Sequence, residues 1–335
     1  MLTIAIPTFN RNEILLKSLT ALLPQVSAEC RLLILDNCSP VPVSTTLRPL
    51  LETWPKLNYQ IVRHRCNLGA TANILRCFEL CETEWLWTLG DDDIVASNAV
   101  EIIENSIHEN PSACYLSFLE FHGKKKSAQV EPLKAQGVRE FIRVMGAAGN
   151  INYMSCSVWK TDSFARGHQY AYEYAYSMGW TFALLLSGLE EKGMVILSGK
   201  SIIEVSHIAP YATRWSYRKF LLGWSTLLEI PSVASDVDVL AKKLLGFYSP
   251  EVVAAYLIAD AASQPWPKKY LFYDLVVGRL APYQIHCLGR IRFGLYRLLF
   301  FHPRSGWFIV KRTIGLANRL GLKSINLTDM GNRGT

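Results

Sequence analysis

Three consecutive aspartates, Asp91-Asp92-Asp93, close an apolar aromatic run that reads Trp85-Leu86-Trp87-Thr88-Leu89-Gly90. A run of this composition predicts a buried strand. Its carboxyl end is the rim of an open α/β sheet, where ligands bind. Adjacent carboxylates raise one another's proton affinity, and a divalent cation relieves the repulsion. Hard oxygen donors suit Mg²⁺ or Mn²⁺, ions that commonly hold phosphates. The triplet therefore suggests a metal–diphosphate site. A solvated acidic turn capping the next helix is the competing reading, and the triplet alone does not decide between them.

Other polar groups fall on the same predicted rim. Pro7-Thr8-Phe9-Asn10-Arg11 follows the first strand, Asp36 ends the second, Asn67-Leu68-Gly69 precedes a helix, and Asn73 lies one turn inside it. Singly, each is an ordinary turn or capping residue. Together they give every early loop at the carboxyl ends of the strands something to offer a ligand crevice.

The elements that must carry these loops follow from pattern. Strands are predicted over Leu2–Ile6, Arg31–Leu35, Tyr59–Val62 and Trp85–Leu89, with helices over Asn12–Leu23 and Ala70–Cys81 between them. The stretch Ser39–Pro55, rich in Pro, Ser and Thr, is expected as loop plus irregular helix. Beyond the triplet, a helix over Ser97–Glu109 and strands over Ala113–Phe121 and Tyr153–Trp159 are expected. A helix over Ala175–Leu186 and short strands over Met194–Leu197 and Ile202–Val205 complete the set. Alternation of strand and helix predicts a mostly parallel sheet flanked by helices. From about Tyr211 the texture turns helical and aromatic, so two regions are expected, 1–210 and 211–335.

Four blocks in order then carry a resemblance. Ile4-Ala5-Ile6-Pro7-Thr8-Phe9-Asn10-Arg11, Leu33-Ile34-Leu35-Asp36-Asn37-Cys38-Ser39, Asn67-Leu68-Gly69-Ala70 and Gly90-Asp91-Asp92-Asp93 resemble a family 2 glycosyltransferase of the GT-A fold. The kind in question builds bacterial surface polysaccharides. The likeness covers residues 1–122 well, 123–208 loosely, and does not extend past 210. It implies a nucleotide-sugar bound across the first half of the sheet. Phe9 matches a position that packs on the base, Thr8, Asn10 and Arg11 lie in the loop that meets the nucleotide, and Pro7 precedes them. Asp36 matches the acid that bonds base or ribose, and Asn67 and Gly69, with Asn73 nearby, line the pocket. The triplet matches the D-x-D motif, with Gly90 where the family's first aspartate stands. Asp92 is then the best metal ligand, with Asp91 and Asp93 as support or alternatives, Asp91 also on the nucleotide-sugar side, and His207, after a late strand, as a further candidate.

The family's transfer inverts the anomeric carbon in one displacement and needs a general base for the acceptor hydroxyl. Here the sequence departs from the pattern. Many relatives carry a Glu-Asp pair before a helix-ending glycine, whereas counting back from Gly193 reaches Gly179-Trp180-Thr181. Glu173, in the run Tyr170–Tyr176 with its four tyrosines, and Asp162 are the upstream candidates. A nucleotidyltransferase would also use an acidic metal site, but it wants a Gly-rich phosphate loop after the first strand, where Pro7-Thr8-Phe9-Asn10 stands. A non-catalytic subunit that keeps the fold is the other alternative.

Composition bounds the rest. With 335 residues, half of them hydrophobic and 19% charged, the chain is no disordered tract. Its eight cysteines lack C-x-x-C pairs and read as reduced thiols. No signal segment or long apolar run is visible. The formal charge of +7 is uneven, because residues 266–323 hold eleven Lys/Arg against the single acid Asp274. That basic stretch is interleaved with Trp266, Tyr270, Phe272, Tyr273, Phe293, Tyr296, Phe300, Phe301, Trp307 and Phe308. Such interleaving suits an anionic membrane surface. No nucleic-acid motif accompanies it, and a plain helical subdomain is the alternative. The expectation is a cytoplasmic enzyme, peripheral on the inner face of the plasma membrane. It would move a sugar from a UDP-, dTDP- or GDP-type donor to a lipid-linked saccharide with Mg²⁺ or Mn²⁺.

Overall fold

The computed structural model describes residues 1–121, 131–145, 151, 153–177, 179–204 and 226–246, with Gly223 and scattered positions between 295 and 313. In chain order the strands are β1 (Leu2–Thr8), β2 (Arg31–Asp36), β3 (Tyr59–Arg63), β4 (Trp85–Thr88), β5 (Ile94–Val95), β6 (Ala113–Phe121), β7 (Leu133–Gln136), β8 (Ser157–Lys160) and β9 (Met194–Glu204). The helices are α1 (Asn12–Leu22), α2 (Val43–Glu52), α3 (Ala70–Glu79), α4 (Ala99–Glu109), α5 (Gly137–Val144), α6 (His168–Glu173), α7 (Trp180–Gly188) and α8 (Val237–Gly246).

The strands form one sheet in the order β3-β2-β1-β4-β8-β6-β9-β5, with β7 on β9. The first four are parallel, as the alternation predicted; Ile4 lies opposite Leu32 on one side and Trp87 on the other. Beyond β4 the sheet is mixed. β8 is antiparallel to β4 and β6, while β6 and β9 are parallel. Hence β6 runs the same way as β1 and β4, and its carboxyl end joins the same rim.

Alternation along β1 sorts the layers. Leu2, Ile4 and Ile6 face a core with Leu15, Leu19 and Leu22 of α1, Leu47 of α2 and Ile103 of α4. The opposite face takes α3, and α6 and α7 pack there beside it. Trp159 of β8 meets Phe78 of α3 edge-on at 5.4 Å and Phe164 at 5.1 Å. Helix α7 is buried on every side, which its apolar sequence requires.

Contacts divide the chain into two compact units, Met1–Pro210 with Ile230–Ser235, and Tyr211–Glu229 with Asp236–Thr335. In the second, Leu240, Ala241 and Leu244 of α8 are buried. Gly306 lies so close to the Leu299 carbonyl that a Cβ would collide with it. The Arg312 guanidinium covers the Phe308 ring at 4.9 Å. Most of the basic aromatic stretch lies outside the described residues. Among the described residues no helix is long and apolar enough to cross a membrane.

Four local expectations shift. Ser39–Pro55 contains a regular helix, α2, despite Pro49. Residues 154–156 form a 3-10 turn before β8, because Trp87 Nε1 and Thr88 Oγ1 donate to the carbonyls of Ser155 and Met154 and pull that segment onto β4. The two late strands are one, β9, which continues through Gly199 at φ +68°, beside a register shift against β6. Helix α7 starts at Trp180, after a turn over 174–177.

Candidate functional site

The rim is assembled by the loops after β1, β2, β3 and β4. Thr8 is the last residue of β1, and Arg11 immediately precedes α1, whose first turn bonds to the Arg11 carbonyl through Ile14 and Leu15 N–H. From these fixed points both side chains reach the aspartates. Thr8 Oγ1 donates to Asp91 Oδ2 at 2.7 Å, and Arg11 Nη1 donates to Asp91 Oδ1 at 3.0 Å and Asp92 Oδ2 at 2.8 Å. Ser18 of α1 holds the Asp91 carbonyl at 2.9 Å, which locks the corner to the helix.

The three aspartates occupy different environments. Asp91 is 7% exposed. Burial, helped by the neighbouring Asp92 charge, pushes its carboxyl up to about 6, against the pull of Thr8 and Arg11. Asp92 keeps 31% of its side chain exposed and touches Arg11. Asp93 turns the other way and accepts from the Tyr153 hydroxyl and Ser155 Oγ. Burial also raises its proton affinity, with the fields of Asp92 and Glu120 adding to it. Burial and the Asp93 charge push the Tyr153 hydroxyl far above its ordinary value. For Arg11, burial works against the charge, but Asp91 and Asp92 outweigh it and hold the guanidinium protonated.

Gly90 explains itself here. A Cβ at this position would collide with Asp93 Oδ2 and crowd Ser155 Oγ, and the Gly90 N–H donates to that same hydroxyl at 2.8 Å. With Asp93 facing inward, no larger side chain fits.

The side of the rim formed by the loops after β2 and β3 is a network of polar groups bonded to one another. Asp36 is 1% exposed and accepts from the Ser39 and Val43 N–H groups and from Arg63. Burial alone would raise its pKa, but those donors prevail and hold the carboxyl below the usual carboxylate range. It thereby anchors the start of α2. Asn37 Nδ2 donates to Asn67 Oδ1 at 2.9 Å, and Asn67 Oδ1 also accepts from the Gly69 N–H at 2.8 Å. Gly69 stands at φ +86°, a conformation that favours glycine, just before α3. Asn73 is buried; its amide donates to the Leu35 carbonyl at 3.1 Å and reaches that of Thr8 at 3.5 Å, while its oxygen meets His64 Nε2 at 2.8 Å. Asn10 and Cys38 hold left-handed backbone at φ 54° and 64°, and the Asn10 N–H donates to Ser39 Oγ. Phe9 is left 40% exposed above this floor, with Pro7 half-buried behind it.

Thus Thr8, Arg11, Asp91 and Asp92 converge, and Asp36, Asn67, Gly69 and Asn73 build the adjoining floor. The remaining candidates lie elsewhere. Asp162 follows β8, whose Lys160 pairs with Trp85 at the opposite end of the sheet, where Thr161 bonds to Thr83 and Glu84. Glu173 is exposed and accepts from Gln169; beside it, the Tyr172 hydroxyl bonds Glu79 at the end of α3 remote from the rim. His207 lies outside the described residues. Sequence reasoning missed Ser18, Arg63, His64, Tyr153, Ser155 and Glu120. Only Arg63 carried a usable sign, a cation at the end of a strand beside an acid-tipped one. Glu120, the penultimate residue of β6, lies at this rim, half-exposed, and its charge reaches Asp93.

Among the described residues no three His, Cys, Asp or Glu side chains gather into a ready metal cage. Mg²⁺ and Mn²⁺ bound with a diphosphate need only one or two carboxylates, since phosphate oxygens and water complete the shell. The donor set fits that arrangement, with Asp92 presented to solvent and Asp91 behind it. Both Asp93 oxygens are engaged.

A sequence profile described as glycosyl transferase family 2 matches residues 3–158. No curated protein sequence matches the chain. Among solved structures, S. aureus TarS 1–349 shares the fold at TM-score 0.56 and 16% identity, over 96% of this chain and 91% of that one. The same portion in complex with UDP-GlcNAc gives 0.58 and 15%, over 97% and 93%. A longer TarS structure gives 0.56 and 14%, over 94% of this chain and 55% of that one. The profile lies over the very strands that build the crevice, so residues 3–158 read as a glycosyl transferase family 2 domain.

Proposed function

We propose that the enzyme transfers one sugar, with inversion, from a nucleotide-sugar to a lipid-linked saccharide during surface-polysaccharide synthesis. The observation that carries this reading is the Thr8–Arg11–Asp91–Asp92 corner, placed beside an exposed Phe9 on a pre-formed polar floor. The fold shared with TarS, which was crystallised with UDP-GlcNAc and with UDP, makes UDP-sugars the first donors to try. dTDP- and GDP-sugars follow.

In this proposal Phe9 stacks on the base, the loop Pro7–Arg11 meets the nucleotide, and Asp36 with Asn67, Gly69 and Asn73 keeps the floor rigid. Asp92, backed by Asp91, would hold a divalent ion, Mg²⁺ or Mn²⁺, which when bound neutralises charge on the departing diphosphate. The acceptor oxygen forms its bond to the anomeric carbon as the carbon–phosphate-oxygen bond breaks. The electron pair leaves with the nucleoside diphosphate, and the hydroxyl proton passes to a carboxylate. Rim position favours Glu120 for that role over Glu173 and Asp162.

The basic, aromatic region 211–335 supports attachment to an anionic membrane, placing the enzyme on the cytoplasmic face beside a lipid-linked acceptor. The test is turnover of nucleotide-sugars on supplied acceptors, with and without EDTA, for wild type and for Asp92→Ala, Glu120→Gln and Glu173→Gln. Loss with EDTA, with Asp92→Ala and with Glu120→Gln, while Glu173→Gln stays active, is expected. Activity indifferent to chelation and to Asp92→Ala removes the metal. Donor binding without any turnover points instead to a non-catalytic subunit.

A further inference from the structure

One contact in the corner has the geometry of an ion site rather than of an ordinary salt bridge. Arg11 does not present its planar fork to one carboxylate, the usual strong arrangement. A single nitrogen, Nη1, lies between two carboxylates on adjacent residues, 3.0 Å from Asp91 Oδ1 and 2.8 Å from Asp92 Oδ2. That is where a point charge shared by the pair would sit.

The pair is also asymmetric. Asp91 is buried and has a second side-chain donor in Thr8, with its backbone held by Ser18. Asp92 is partly exposed, and among the described residues Arg11 is its only hydrogen-bond partner. The Arg11 backbone is fixed by the start of α1, yet its side chain keeps 29% exposure. The guanidinium can therefore swing without disturbing the helix, and Asp92 is the contact it can release at least cost.

Two adjacent carboxylates, one of them buried, need a cation nearby. Arg11 supplies it in the ligand-free enzyme. A divalent ion taking Asp92 cannot share the gap with Nη1, because two positive charges would then face each other at contact distance in a half-buried corner. Arg11 must move, and the nearest new anion on this rim is the donor's diphosphate.

We propose that Arg11 is a resident counter-cation that couples the two ligands. It occupies the ion's place until ion and diphosphate arrive together, then transfers from Asp92 to the diphosphate. This rests on the metal and donor reading given above. Coupling of this kind is reciprocal, so donor must tighten ion binding by the factor by which ion tightens donor binding, on the order of 5–150-fold.

The probe is Mn²⁺ itself, with free ion counted by electron paramagnetic resonance, with and without UDP, on the full chain. Wild type should bind Mn²⁺ weakly alone and several-fold to a hundredfold more tightly with UDP. Arg11→Met should bind Mn²⁺ without UDP at least about fivefold more tightly than wild type does, with most of the enhancement by UDP gone. Should Arg11→Met not fold, Arg11→Lys serves, since its compact charge on a shorter reach bridges the pair less well and must show a smaller enhancement. Mn²⁺ affinity unchanged by the substitution that can be tested, with UDP still tightening it in both proteins, overturns the inference and leaves the metal reading standing. No Mn²⁺ uptake by wild type even with UDP removes the metal reading, and this one with it.

Discussion

Placing an alanine at Gly90 tests how the acidic corner is built. The new Cβ would fall inside the contact distance of Asp93 Oδ2 and 3.3 Å from Ser155 Oγ. Neither neighbour can yield freely, because Ser155 accepts the Gly90 N–H and donates to Asp93, which Tyr153 also holds. Alanine must push the Asp93 carboxyl off both donors. Hydrogen bonds to such a group contribute ~1.5–3 kcal/mol each, and rehydration in the crevice returns part of the loss. A net cost of about 2–4 kcal/mol follows, which for a unit of this size lowers Tm by roughly 5–15 °C. Thermal unfolding of Gly90→Ala, Asp93→Ala and the double variant reads it directly. In the Asp93→Ala background the clash partner is gone, so the added alanine should cost little, a coupling that two distant sites would not show. Gly90→Ala melting with wild type, or costing the same in both backgrounds, would refute the inward-facing Asp93.

Two further predictions concern the floor of the crevice. Asp36 binds protons less readily folded than unfolded, so its contribution is present above the ordinary carboxylate pKa and is lost as pH falls through its lowered folded value. The stability gap between wild type and Asp36→Asn, read from urea midpoints, should be constant from about pH 5 upward and shrink below about pH 4; a gap unchanged at pH 3 argues against the ion pair with Arg63. Asn73→Ala leaves the buried Leu35 carbonyl without its side-chain donor and should cost ~1–3 kcal/mol by denaturant unfolding. Asn73→Asp, which puts an oxygen where the donor was, should cost more, and the reverse order would show that the amide is not the bond that matters.

The parallel half of the sheet was legible because β1, β2 and β4 are short, apolar, separated by amphipathic helices and bounded by turn residues. Each of those signals is local. What escaped was set by distant partners. Nothing within Tyr153–Trp159 shows that Trp87 and Thr88, some sixty-odd residues earlier, will take its carbonyls and wind its start into a turn. Likewise Ser198-Gly199-Lys200 looks like a break between strands, yet β6 alongside carries the chain through it. In the site, Thr8 and Arg11 from the block after β1 meet Asp91 and Asp92 from the block after β4. Glu173 stands out in the sequence for its aromatic neighbours, but of those tyrosines only Tyr174 is buried, and Tyr172 bonds Glu79 at the end of α3 remote from the rim. Glu120 had no such flag; only strand order reveals that β6 ends on the working rim.

The rim divides its polar residues by whether their bonds are already spent. Asp36, Asn37, Asn67 and Asn73 hold neighbouring backbone or one another, and Asp93 is taken by Tyr153 and Ser155. Groups so engaged cannot also bind a ligand without breaking something, and their role is to fix the shape against which a ligand is measured. What remains presented is small: Phe9, the loop at Asn10, the part-exposed Arg11–Asp92 pair and the half-exposed Glu120. Those are an aromatic face, a cation and two anions, a set that suits the base, diphosphate and metal of the proposed function. The glycine at position 90, which departs from the family pattern, belongs to the same division. By letting Asp93 turn inward it leaves Asp92 as the carboxylate of the triplet whose hydrogen bond, among the described residues, goes to the part-exposed Arg11 alone.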